Sequence, residues 1–492
     1  GERPTVTERR TYRFGPLERH GFLGSIRAGQ AGLVVTAVLT GLVMLGSAPT
    51  PSSAAAALAL LMVALVIATL PVGGRTLEQW LPVVLGWLTR RLTGSYRYRS
   101  SAPTAGMRLT GSRVLPASEA SLPRALARAR VWEVPCGRRR LGAVAERDGR
   151  LLTSVLACRV PSFSLLDSET QERNLSHWGS VMAACADTPV RRIQWLERTT
   201  PAEGDQLARW LHAERDPSIP ARGAPIIDSY LELIDHTARV SQEHEVLIAV
   251  QVDAARVRGR GRDAAAMALV EETERVADGL RRTGAEIHGG LTVRHLATLV
   301  RTAFDPYIRL QLSALPDGPS ERTVGPVAAL EGFDHYRTDG AVHTTYWIAG
   351  WPRVEVGALF LDPLLSRCSG VRTVAVTFEP LSSDRSIREV ESQVTRDQAD
   401  RALRARFGQA ETARQQQAYG ATRRREAELA AGYGEVRFAG YITVSATDLD
   451  GLRYACAEIR RDAARARLEL RAMYGQQANA FAFTLPLCRG LR

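Results

Sequence analysis

The sequence predicts a membrane α-helical hairpin followed by an α+β cytoplasmic region with a ferredoxin-like sheet and a helical-hairpin insertion. Three observations predict it. No charged side chain occurs between Arg27 and Arg75. Beyond residue 113, segments of helical periodicity alternate with short apolar strands. Between Ser383 and Gly432, about fifty residues rich in Arg, Glu, Gln and Ala carry no strand pattern.

Of 492 residues, 45% are hydrophobic and 24% charged, which is the composition of a folded chain. Basic side chains number 64 against 52 acidic ones, a formal net charge of +12, and every basic residue is arginine. The missing lysine excludes whole chemistries. P-loop nucleotide hydrolysis, kinase transfer, SxxK acylation and pyridoxal Schiff bases all require one. The six cysteines, at 136, 158, 185, 368, 456 and 488, are far apart with no CxxC, so buried thiols are expected instead of a zinc site or a disulfide framework.

Residues 1–27 form a cytoplasmic segment carrying Arg3, Arg9, Arg10, Arg13, Arg19 and Arg27. The two-helix transmembrane hairpin spans 28–74. Its runs, Ala28 to Gly46 and Ala54 to Leu70, each hold eight strongly apolar residues, worth about −2.5 to −5 kcal/mol on insertion. At about 1.5 Å per residue each run crosses a hydrocarbon core of roughly 30 Å. Ser47 to Ser53 joins them with an uncharged, proline-broken turn. Arginine flanks both ends of the pair, with Arg75, Arg90, Arg91, Arg97 and Arg99 following it, and the turn has none. The positive-inside rule therefore predicts a two-pass protein of the inner (plasma) membrane with both termini cytoplasmic. A signal peptide cleaved near Ala48 and a buried soluble hairpin are the competing readings. Ala37 and Gly41, one turn apart, would let the two helices approach closely.

Residues 75–93 read as an interfacial amphipathic helix. Leu77, Trp80, Leu81, Val84, Trp87, Leu88 and Leu92 recur at helical spacing, Thr76 with Gln79 has capping-box form, and Pro82 predicts a kink. Trp80, Trp87, Arg90 and Arg91 are the expected membrane-interface residues. A soluble amphipathic helix packed on the following domain is the alternative. Residues 94–113, with Gly, Ser, Pro and Tyr-Arg-Tyr-Arg, form a linker.

Residues 114–340 form the first α+β domain. Strands are expected at Val131 to Cys136 and on both sides of Asp148-Gly149, a two-residue hairpin turn, then at Val190 to Glu197 and Glu245 to Val252. Helices are expected at Ser168 to Ala186, Glu203 to Glu214, Ile226 to Gln242, Asp263 to Arg282 and Val293 to Ala303, with Asp305 to Asp339 irregular. Residues 341–492 form the ferredoxin-like domain, with strands Thr344 to Trp351, Val371 to Phe378, Arg437 to Ala446 and Arg467 to Met473. A short helix is expected at Val354 to Leu365 and another at Leu449 to Ala464; the helical arm 383–432 projects between strands.

No GxSxG, HExxH, Gly-rich nucleotide loop or EF-hand pattern occurs, and the nine histidines lack ligand spacing. No catalytic residue, cofactor or metal is expected. The arginine clusters Arg138, Arg139, Arg140 and Arg258, Arg260, Arg262 suit anionic lipid or phosphate, because a basic face near a membrane gains about 1 kcal/mol per charge. Without an aromatic platform or recognition motif, direct nucleic-acid binding is not expected.

Tyr12-Arg-Phe-Gly-Pro-Leu-Glu-Arg19, the hairpin and Leu77-Glu-Gln-Trp-Leu-Pro82 together resemble actinobacterial PrgI-like membrane proteins of conjugation systems. Gln476-Gln-Ala-Asn-Ala-Phe-Ala-Phe-Thr-Leu-Pro-Leu-Cys-Arg-Gly490 resembles the end of the N-terminal, non-ATPase part of the TraC-type motor of type IV secretion. The resemblance implies a non-enzymatic scaffold that anchors or recruits a separate secretion or conjugation ATPase. Other membrane secretion subunits, anionic lipids and a second copy of the chain are the further implied partners. A type VII secretion membrane component is an alternative in the same class, and a membrane-anchored transferase one from another.

Overall fold

In a computed structural model the described residues are 11, 12, 14, 28–73, 75–100, 108–109, 113–114, 122–137, 139–160, 163–201, 225, 229, 242–259, 261–309, 312, 324–366, 370–406, 413–431 and 434–491. The uncharged span forms two antiparallel helices, α1 (Ala28–Ser47) and α2 (Pro51–Thr69). Thr50 starts α2 through a reciprocal cap: its hydroxyl accepts from the Ser53 N–H at 3.2 Å, and the Ser53 hydroxyl accepts from the Thr50 N–H at 3.1 Å. Pro51 follows at the first helical position, where its missing donor costs nothing. Small residues meet between the helices. Ala37, Ala64 and Ala68 are buried, and a Cβ at Gly41 would sit 3.3 Å from that of Ala57. Leu39, Leu42, Val43, Leu58 and Val63 point outward and exposed, the reverse of a soluble core helix. Both helices are long and apolar enough to cross a membrane.

A two-stranded turn, β1 (Pro71–Val72) with β2 (Arg75–Thr76), leads into α3 (Leu77–Leu92). Thr76 precedes α3 but makes no side-chain cap bond, so the capping box expected with Gln79 does not form. β3 (Arg97–Arg99) and the small β4 (Arg108–Leu109) and β5 (Arg113–Val114) pair follow, so the linker already contributes an edge strand.

Most remaining strands join one sheet of 13 strands. The first half runs β6 (Arg130–Cys136), β7 (Arg139–Glu146), β8 (Leu151–Arg159), α4 (Ser168–Ala184), β9 (Val190–Pro201), β10 (Gln242–Asp253), α5 (Arg262–Arg281) and β11 (Glu286–Gly290). It is closed by α6 (Val293–Phe304). The second half runs β12 (Ala328–Glu331), β13 (Tyr336–Thr338), β14 (Ala341–Gly350), α7 (Asp362–Leu365) and β15 (Val371–Pro380). Helices α8 (Ser383–Arg406) and α9 (Ala413–Ala430) come next, then β16 (Val436–Ala446), α10 (Leu449–Arg465), β17 (Glu469–Ala472) and α11 (Gln477–Phe481).

These halves follow one plan. Across the sheet, the four central strands of the first lie in the order β11-β8-β10-β9 and those of the second in the order β17-β14-β16-β15, every neighbour antiparallel. Within each half, the edge of the first central strand is shared. β8 holds β7 along Leu151–Ser154 and β11 along Leu156–Arg159, while β14 holds β13 along Ala341–His343 and β17 along Tyr346–Gly350. The halves meet where equivalent strands β9 and β15 pair antiparallel, Leu196 opposite Ala375, the seam that a two-fold rotation would generate. One element breaks the likeness: α4 has 17 residues and its counterpart α7 only 4.

Strand alternation then assigns two cores. Ile193, Ile248 and Val250 pack under α4 and α5, and Val374, Ile442 and Val444 under α7 and α10. On the opposite face, Leu196, Leu247, Ala249 and Ala375 meet α6 and the C-terminal residues Phe481 to Cys488.

Several local expectations change. The Asp148-Gly149 hairpin forms, but Glu146 pairs with Leu151, so its loop holds four residues; Arg147, Asp148 and Gly149 all take positive φ. Val354 to Leu365 is helical only from Asp362, because Val356 instead exchanges backbone hydrogen bonds of 2.8 and 3.0 Å with Tyr12. Asp305 to Asp339, expected to be irregular, contains β12 and β13, folded back on β14 at Asp339-Gly340, so the second half begins before residue 341. The helices expected at 203–214 and 226–242 lie outside the described residues, except that Ser229 is helical and Gln242 opens β10.

Candidate functional site

α3 is where the hairpin side of the chain meets the sheet. Its apolar residues occupy more than one face, and each face meets different surroundings. Trp80, Val83, Trp87 and Arg90 turn to the second half. The Trp80 ring lies 6.3 Å from Phe333 and 6.0 Å from Tyr474, and Trp87 meets Phe333 edge-on at 5.4 Å. Phe333 and Tyr474 stack on each other at 5.7 Å, completing a four-ring cluster in geometries that favour aromatic pairs.

The partners sit on two turns, one between β12 and β13 and one after β17. Gly475 joins these turns: its N–H donates to the Phe333 carbonyl at 2.6 Å, and its own carbonyl accepts from the Arg90 guanidinium. It has φ +64, and a Cβ there would lie 3.1 Å from Val83 and 3.3 Å from Phe333. Only glycine meets both demands without strain. Arg90 also pairs with Glu331 at 3.1 Å, and the Ala478 N–H donates to the same carboxylate at 3.2 Å. Burial pushes the Glu331 carboxyl up from its ordinary range, against the pull of the Arg90 charge and the Ala478 N–H.

The opposite side of α3 presents Leu81, Val84, Leu85, Leu88 and Leu92, exposed between 42% and 78%. Arg91 stands at the border, its guanidinium 5.2 Å from Trp87 and 4.5 Å from Tyr96. The start of α3 abuts the hairpin base: a Cβ at Gly29 would collide with the Glu78 carboxylate, and Gln30 donates to the Ala68 carbonyl at 2.6 Å, tying α1 to α2 there.

Of the expected interface residues, then, Trp80, Trp87 and Arg90 contact the folded body, and Arg91 lies exposed beside them. The dock itself, Glu331, Phe333, Tyr474 and Gly475, was not among the residues expected from sequence. Its one sequence signal is the turn-forming glycine after Tyr474.

The arginine clusters are not brought to α3. Arg138 and Arg260 lie outside the described residues, as does the side chain of Arg139. Arg140 pairs with Glu133 at 2.6 Å on the β6–β7 hairpin, Arg258 is exposed, and Arg262 stacks 3.7 Å over Trp132. β7 and β12 are eight strand positions apart in the sheet order, roughly 38 Å at about 4.8 Å per strand.

Of the first end motif the described residues Tyr12 and Phe14 lie on the body, as does the C-terminal motif. Tyr12 pairs with Val356, and Phe14 enters a ring cluster of Trp351 and Phe360, both at 5.3 Å, and Phe438 at 6.1 Å. This patch is beside α7, where the second half has only one helical turn. At the other end, residues 481–491 form a strap across the seam. Gln194 of β9 donates to the Phe483 carbonyl at 2.8 Å and accepts from the Leu487 and Cys488 N–H groups. Gln251 donates to the Leu487 carbonyl, Thr377 to that of Arg489 and Tyr441 to that of Gly490. Arg489 pairs with Glu146. Both halves therefore hold the strap. Burial pushes the Cys488 thiol far up, which marks it as packing and not as a nucleophile.

Among the described residues no group of three or more His, Cys, Asp or Glu side chains could hold a metal ion. Compared with protein-family models and with curated proteins, the chain matches none.

Proposed function

We propose that this chain is a membrane scaffold of a conjugation or type IV-like secretion apparatus, anchoring or recruiting a separate motor ATPase. The observation that carries the reading is the fastening of the apolar hairpin: Tyr12 and Phe14 before it and α3 after it contact the same half of one α+β body. Two crossings with both ends cytoplasmic satisfy that geometry, since an odd number would separate the two fastenings across the bilayer. The strand order of each half supports a ferredoxin-like reading, extended from the second half to the first. Such a duplicated platform offers a broad rigid surface, with α8 and α9 as an arm suited to a partner. The secretion setting rests on the resemblance of the end motifs.

Native purification in mild detergent tests this. The expected result is co-purification of a P-loop ATPase together with other membrane secretion subunits. Recovery of the chain without any ATPase, or nucleotide hydrolysis by the purified chain alone, would overturn the proposal.

A further inference from the structure

We propose that α3 is a two-faced helix at the membrane surface: its tryptophan side grips the body, and Leu81, Val84, Leu85, Leu88 and Leu92 lie in the boundary between lipid headgroups and acyl chains. This rests on the hairpin reading above and goes further by naming the lipid-contacting residues, which are not the tryptophans. The five side chains recur at spacings of three and four, so they form one stripe along the helix. All five are exposed, and large contiguous apolar surface facing water is disfavoured unless something covers it.

The position of the stripe selects lipid as its cover. α3 begins eight residues after the end of α2, and its first turn touches the base of α1 through Glu78 and Gly29. The helix therefore starts at the depth where the hairpin leaves the hydrocarbon. One long side is already taken by Phe333 and Tyr474, leaving the leucine side for the bilayer. Arg91, Arg97 and Arg99 are exposed around the end of the helix, which suits anionic headgroups at that level. Lying along the surface, a helix of 16 residues would hold the body close to the bilayer over about 24 Å.

Site-specific photocrosslinking of the full chain in phosphatidylcholine–phosphatidylglycerol vesicles tests this. The probe p-benzoylphenylalanine is placed at Leu88, at Leu42 of the hairpin, and at Met267, which is 73% exposed on α5. Leu85 serves in place of Leu88 if that variant fails to fold. The expected result is lipid adduct at 42 and at 88, each severalfold above that at 267. Adduct at 42 without adduct at 88 would overturn the role of α3 and leave the hairpin reading standing. Crosslinked protein dimer at 88 in place of lipid adduct would assign the stripe to a second copy and equally overturn it. Absence of lipid adduct at 42 as well would overturn both.

Discussion

The two halves of the body share a strand order but are covered differently. In the first half, α4 packs its own Val181 and Met182 onto the sheet. In the second, four-residue α7 leaves that cover short, and Phe14, from the far side of the hairpin, packs into rings beside it; α3 then closes the turns at one end. On the α4 and α7 face the first half is covered by its own helix, whereas the second is covered in part by a segment that precedes the hairpin; the C-terminal strap covers both halves on the other face. The apolar hairpin is thus fastened to the second half on both of its sides, and no contact of α3 or Phe14 with the first half is seen among the described residues. The arginines expected at the membrane or lipid surface fall in two different settings. Arg90 is nearly buried in the dock, while Arg258 and Arg262 stand at the far side of the sheet with exposed side chains.

The sharpest way to break this comparison is Arg90→Met. It leaves the Glu331 carboxylate buried without its cation, at a cost of about 3 kcal/mol, read by denaturation in detergent. Hydrogen exchange should rise in β12, β13 and the turn after β17, and not in β8 to β10. Equal loosening of both halves would contradict the account.

A loss of similar size comes from acid. His343 is fully buried, its Nδ1 2.8 Å from the Ser445 hydroxyl and its Nε2 3.0 Å from the Phe304 carbonyl, and burial pushes its pKa down from 6.5 to about 4. The neutral ring is the folded form. Its contribution is therefore complete above pH 6.5, is lost as pH falls from 6.5 through 4, and reaches about 3 kcal/mol. His343→Gln should flatten the stability profile across that window, and an unchanged slope would show that another group sets it.

Phe14→Ala removes a ring from the patch beside α7 and should cost about 2 kcal/mol, with exchange rising in β16 and around Trp351 before anything in the first half. Gly475→Ala combines a positive φ with the approach of Val83 and should cost about 1 kcal/mol, releasing α3 to proteolysis. Arg258→Gln with Arg262→Gln should change stability by less than about 1 kcal/mol, since Arg258 is exposed and Arg262 loses only an exposed cation–π contact with Trp132.

Much of this architecture was legible in the sequence, and the reasons differ by element. The uncharged span gave both hairpin helices because lipid and interior packing alike reject arginine, and the turn at Thr50 with Pro51 carries its own signals. Helices α4, α5, α6 and α10 were readable within a few residues from their periodicity, and in the structure Asp167 and Asp448 cap α4 and α10. The duplication was not readable. Strand order is a long-range property, and short strands such as Glu286–Gly290 or Tyr336–Thr338 give no periodic signal of their own. On α3 the pattern identified the apolar residues but not their surroundings. Lipid and a protein core select the same side chains, so only the positions of Phe333 and Tyr474 tell which side is which.

The most direct measurement is the side of the membrane on which each segment lies. Cysteine is placed at Ala48 in the hairpin turn or at Met267 on the body, and intact cells are exposed to a membrane-impermeant maleimide. Labelling is expected at 48 from outside, and at 267 only after the membrane is permeabilised. Labelling at both positions in intact cells, or at neither until permeabilisation, would contradict the two-pass reading.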